Sequence, residues 1–159
     1  MVTFESFMVR LAQLCRDQRG TMVIETAIVT PVLVLMSLGA YQVSALVARQ
    51  SELDGAAAEG AAIAIASPPN TDAKRTTLQQ VVAASAGGTA AVTVSAAYRC
   101  NSATDYVTTS SSCTSGVISN FVKIYITETY TPTWVQFGIA NAITFRTTRY
   151  VEFSQTDVP

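Results

Sequence analysis

From Thr26 to Ala48 the chain carries no formally charged residue. That is a run of about 23 residues, long enough to cross the hydrocarbon core of a bilayer as a helix. Glu25 stands at the mouth of this run, behind Gly20-Thr21-Met22-Val23-Ile24. A lone carboxylate at the edge of a span is costly to bury and usually has a function. Three arginines, Arg10, Arg16 and Arg19, precede the run, whereas after it Arg49 stands alone among Glu52, Asp54 and Glu59. Basic residues are retained on the cytoplasmic side, so the N-terminus is expected inside and everything after Arg49 outside.

The remaining composition narrows the function classes. Of 159 residues, 13% are charged and the formal net charge is −1, so no basic patch marks a nucleic-acid surface. Histidine is absent, which removes the commonest general base and metal ligand. Lys74 and Lys123 sit in no nucleophile motif, and no pair of acids has a spacing suited to acid–base work. We therefore expect no enzyme, catalytic residue, metal, cofactor or small-molecule substrate.

Cys100 and Cys113 enclose the polar loop Asn101 to Ser112. In an oxidising compartment such a pair reads as a disulfide, the competing reading being two free buried thiols. Cys15 precedes the apolar run and follows Gln13-Leu14, an unsuitable setting for lipidation.

Along the chain, residues 1–20 read as a leader, either a short amphipathic helix at the membrane surface or an unstructured tail. Residues 21–66 read as a membrane helix extended outward, roughly 70 Å long if unbroken, with Pro31 expected to kink or open its first turns. Small residues recur at every fourth position, at Ala40, Ser44 and Ala48 and again at Ala56, Gly60 and Ala64. Such a stripe lets a second helix approach closely; the alternative is alanine chosen for helix propensity.

Residues 67–159 read as an outer domain. Ser67-Pro68-Pro69-Asn70 breaks the helix, and Thr71 or Asp72 caps a second, shorter one that ends at Gly87-Gly88. Ala91 to Tyr98, Asn120 to Tyr130 and Ala142 to Phe153 alternate as strands, with a helical turn at Trp134-Val135-Gln136-Phe137-Gly138 between the last two. The expected class is α+β: a long N-terminal helix, a short helix and an antiparallel sheet of three or more strands.

The stretch Arg19-Gly20-Thr21-Met22-Val23-Ile24-Glu25-Thr26-Ala27-Ile28-Val29-Thr30-Pro31 resembles the TadE-like pseudopilins of tight-adherence (Flp-type) pili. The likeness continues through Tyr41, Ala48-Arg49-Gln50 and the Ala/Gly run to Ala66. A looser likeness covers Tyr130-Thr131-Pro132, Phe137-Gly138 and Ile143-Thr144-Phe145. Thr26 departs from the pattern, which commonly has an aromatic there.

The resemblance implies a substrate of an inner-membrane prepilin peptidase, cut between Gly20 and Thr21. Glu25 would then pair with the new N-terminal ammonium of a neighbouring pilin or pseudopilin subunit. It implies a minor structural component that assembles or initiates a pilus, with its domain on the periplasmic or extracellular side. The alternative is an uncut single-pass anchor that carries an outer binding or adhesion module.

Overall fold

The structure, a computed structural model, describes residues 19–138 and 141–158. The expected leader, with Arg10, Cys15 and Arg16, falls outside the described residues. The chain divides into two compact units, Met1–Ser44 and Ala45–Pro159.

Helix α1, Arg19–Ala66, is 48 residues long and passes through Pro31 without interruption. Pro31 lacks the N–H that would bond the Ala27 carbonyl, a loss that a membrane helix tolerates. In the first unit the apolar side chains stand outward: Met22, Ile24, Ile28, Leu35 and Met36 are all more than half exposed. Thr26, Thr30 and Ser37 return their hydroxyls to the carbonyls of Met22, Thr26 and Leu33, at 2.7, 2.7 and 2.8 Å. Each hydroxyl is thereby satisfied inside its own helix, as an apolar medium requires.

In the second unit, Thr71 caps helix α2, Asp72–Ala86, by accepting from the Lys74 amide. Gly87 ends it with φ of 86°, a conformation that favours glycine. Leu78, Val82 and Ala86 recur every fourth residue and make its buried stripe, while Val81 points outward.

Three strands follow: β1, Ala91–Cys100; β2, Gly116–Tyr130; and β3, Ile143–Val158. They form one antiparallel sheet in the order β1-β2-β3. The class is α+β, as expected. All three strands run longer than the alternation alone indicated.

One sheet face packs on the helices. Val92, Val94, Val122, Ile124, Ile126 and Val151 close on Leu53, Ala56, Ala57 and Ala64 of α1 and on the stripe of α2. The other face is also partly covered. Ala97 and Phe121 pair across β1 and β2 and are buried there. A bulge shifts the β2–β3 register between Asn120 and Phe121.

Candidate functional site

Gly20 and Thr21 lie in α1. Glu25 is exposed one turn further on and makes no ion pair among the described residues. It is the only formal charge between Met22 and Ala48. A carboxylate so placed calls for a cationic partner if lipid or another helix surrounds it.

The structure divides the small-residue stripe. Ala40, Ser44 and Ala48 are not buried, whereas Ala56, Gly60 and Ala64 are. A Cβ on Gly60 would stand 2.5 Å from Val82 Cγ2 and 3.1 Å from Ile124 Cδ1. The close approach that Gly60 permits is therefore used within the chain, by α2 and the sheet. A Cβ on Gly55, by contrast, would meet nothing within 4 Å.

The α1 end of the second unit is held by polar contacts centred on Arg49. Its Nε donates to Glu128 Oε2 at 2.8 Å, its Nη1 to Glu52 at 2.8 Å and its Nη2 to the Ala86 carbonyl at 2.8 Å. The last bond sets a cation at the C-terminal end of α2, where the helix dipole favours it. Thr89 also donates to Glu128. Next along α1, Gln50 donates to Thr147, and Thr147 donates to Asp54 at 2.9 Å.

The titration of this cluster follows its geometry. Burial works to raise the Glu128 pKa, but the hydrogen bonds from Arg49 and Thr89 and the Arg49 charge together hold it below the usual range. The same bond to Glu128, followed by that to Glu52, raises Arg49. The pair stays ionised at neutral pH.

Cys100 and Cys113 are joined in a disulfide with Cα atoms 5.3 Å apart. The enclosed loop folds back onto the sheet through a bridge between Tyr98 and Val107. Its Tyr106 ring stacks on Tyr150 at 4.0 Å and meets Phe121 edge-on at 5.0 Å. Lys123 lies 5.7 Å from the ring centres of both Tyr125 and Tyr150. These rings are engaged with one another, so the cluster reads as a cover over Phe121 rather than an open binding cleft. Among the described residues no group of three or more His, Cys, Asp or Glu could hold a metal ion.

Among the described residues, one helix is long and apolar enough to cross a membrane. Its sequence carries a family signature that begins at Gly20. Residues 20–62 match the TadE-like protein family. The TadE-like segment begins at Gly20 and ends about one turn before the end of α1, so it is the helix, and not the sheet, that carries the likeness. The likeness is to a family of TadE-like proteins and spans 43 of the 159 residues. No curated protein and no solved structure gives a significant match.

Sequence reasoning used Arg49 only to orient the span and gave Glu128 no role. A signal for the pair was present. Val122, Ile124, Ile126 and Glu128 share one phase of a strand, and an acid in the apolar phase asks for a buried partner.

Proposed function

We propose that this chain is a pseudopilin-like minor component that takes part in assembling or initiating a Tad-type pilus after its leader is removed. The carrying observation is the TadE-like match that begins at Gly20 and follows α1 almost to its end. In this reading the peptidase cuts between Gly20 and Thr21, because a residue without a side chain lets the protease approach the scissile backbone closely. Thr21 becomes the new N-terminus, and Glu25 lies on the same helix face by i,i+4 spacing. It neutralises the ammonium of an adjoining subunit.

Orientation follows the charge asymmetry, with the N-terminus cytoplasmic and the sheet domain on the periplasmic or extracellular side. The disulfide supports an oxidising compartment for that domain. Partners on this reading are the inner membrane, a prepilin peptidase and other pilin-type subunits, which the stripe Ala40, Ser44 and Ala48 would meet. The absence of histidine and of a nucleophile–base pair supports a structural role over a catalytic one.

N-terminal sequencing of protein purified from membranes tests the proposal. Thr21 is the expected first residue, and Met1 is expected when the peptidase is deleted. Intact Met1 in both strains would leave the uncut anchor with an outer binding module as the working form.

A further inference from the structure

The sheet face that packs on the helices changes character at one end. Toward the start of β1 it carries Val92, Val94, Val122, Ile124, Ile126 and Val151. Past Ala96, which pairs with Val122, comes Tyr98 opposite Asn120, and on the other side of Asn120 comes Ser154. A bulge makes the change on β3. Phe121 pairs with Glu152 and Asn120 with Ser154, so Phe153 is the extra residue. Bulges re-aim the side chains that follow them and are over-represented beside functional sites. Here the bulge brings Ser154 and Thr156 to the face of Asn120, whose amide donates to both hydroxyls at 3.1 Å.

A cleft of about 160 Å³ lies at this polar end, lined by Asn70, Arg75, Tyr98, Asn120 and Ser154. Ala96 and Phe153 give it an apolar wall, and no carboxylate among the described residues lines it. The Arg75 side chain is 18% exposed. Its Nη1 donates to the Pro69 carbonyl at 3.1 Å. Its one charged partner among the described residues is Asp72, whose side chain is 97% exposed. Ion pairs with so exposed a partner are weak. A guanidinium has five N–H groups, so Arg75 keeps donors for a second acceptor. The Tyr98 hydroxyl makes no hydrogen bond among the described residues. Ser154 accepts from Asn120 and keeps its own proton to donate.

Size and chemistry select the ligand. At about 30 Å³ for each water-sized group, the cleft takes about five non-hydrogen atoms. Sugar rings and nucleotides are too large. Two hydroxyl donors beside a cation call for an anion, and the planar guanidinium fork matches a carboxylate. Phosphate has the size, but it is polar on every side and would leave oxygens unpaired against Ala96 and Phe153.

We infer that this cleft binds a carboxylate of about five non-hydrogen atoms, with Arg75 as its clamp, Tyr98 and Ser154 donating to its oxygens and Phe153 against its alkyl stem. Propionate-sized acids and the side chains of aspartate and glutamate share that chemistry. Asp72 yields Arg75 when the ligand binds. Every residue involved belongs to the outer unit, so the site depends neither on leader cleavage nor on a role in pili.

The full chain in detergent is titrated with sodium propionate and with the blocked residues acetyl-Asp-amide and acetyl-Glu-amide. Sodium chloride at equal ionic strength is the reference, and the melting temperature is followed. The expected result is a saturable rise that is absent in Arg75→Gln. Tyr98→Phe, which removes one hydroxyl and keeps the ring, should weaken binding about tenfold or more. Asp72→Asn, which removes the competing carboxylate, should tighten it by up to about fivefold. These two variants decide the matter even if Arg75→Gln fails to fold. A larger rise with the blocked residues assigns the cleft to an acidic side chain of another protein, and a larger rise with propionate assigns it to a free acid. No rise with any of the three overturns the site. So does a rise that never saturates, or one that Tyr98→Phe and Asp72→Asn leave unchanged, since that is a general salt effect.

Discussion

Arg49 and Glu128, 79 residues apart in sequence, form a 2.8 Å charge-assisted hydrogen bond between α1 and β2. The Glu128 side chain is 6% exposed and that of Arg49 20%. Because Arg49 also bonds the last carbonyl of α2, one guanidinium ties α1, α2 and the sheet together. The apolar core begins one turn further along α1, at Leu53.

Removing Glu128 leaves the half-buried Arg49 with Glu52 and the Ala86 carbonyl as its remaining partners. Glu128→Ala should destabilise the outer unit by about 2–4 kcal/mol, somewhat under the full buried-pair value because Arg49 retains solvent and Glu52. Chemical denaturation of the full chain in detergent, followed by near-ultraviolet circular dichroism, measures this. A loss below about 0.5 kcal/mol, typical of a surface pair, would show that the pair holds nothing.

Acid should act through the same group. The folded pKa of Glu128 lies below its unfolded value, so its contribution is fully present above about pH 4.3 and is lost as pH falls through the folded value. Glu152, lowered by hydrogen bonds from Gln155 and Ser119, acts in the same direction. Melting temperature should therefore drop between about pH 6 and about pH 3. The drop should be shallower in Glu128→Gln; equal slopes would acquit Glu128.

The two glycines of the outward helix should respond in opposite senses. Gly60→Leu drives a side chain into Val82 and Ile124 and should cost about 1–3 kcal/mol or more. Gly55→Ala meets open space and should stabilise by about 0.5–1 kcal/mol through helix propensity. Thermal melts of both variants decide it, and a tolerated Gly60→Leu would mean that α1 and α2 are not in close contact.

Opening the Cys100–Cys113 bridge, which spans 13 residues, should cost about 3 kcal/mol in the chain-entropy model. Cys113→Ser should also free Tyr106 from Tyr150, raising the protease sensitivity of the loop at Asn101 to Ser112. A loop equally resistant in both forms would show that the tyrosine stack alone holds it.

Ser44→Leu enlarges a position of α1 that lies outside the outer core. Co-purification with other pilus proteins should fall while the melting temperature stays unchanged. Undiminished co-purification would remove Ser44 from any subunit interface.

Much of this architecture was legible before folding because it is written in local chemistry. The uncharged run at Thr26 to Ala48 announces its helix by length and polarity alone. Thr71 caps α2 by reaching an amide three residues on, and the alternation of Val122, Ile124 and Ile126 marks a strand with one buried face. The Gly20–Glu25 spacing needs no tertiary contact to be seen. Periodicity and capping are interactions over a few residues, so a linear reading captures them.

Other features came into being only with the fold. Gly60 read as a seat for a second helix without naming it, and Val82 of α2, with Ile124 of β2, takes that seat. That the second face of the sheet is covered, with Ala97 buried beside Phe121 and Tyr106 edge-on to Phe121, was not in the alternation. Arg49 read as a marker of orientation, and only the return of β2 brought Glu128 to it. Each of these depends on residues dozens of positions apart meeting in space. Which partners meet is set by packing of the whole core, and no short stretch of sequence contains that information.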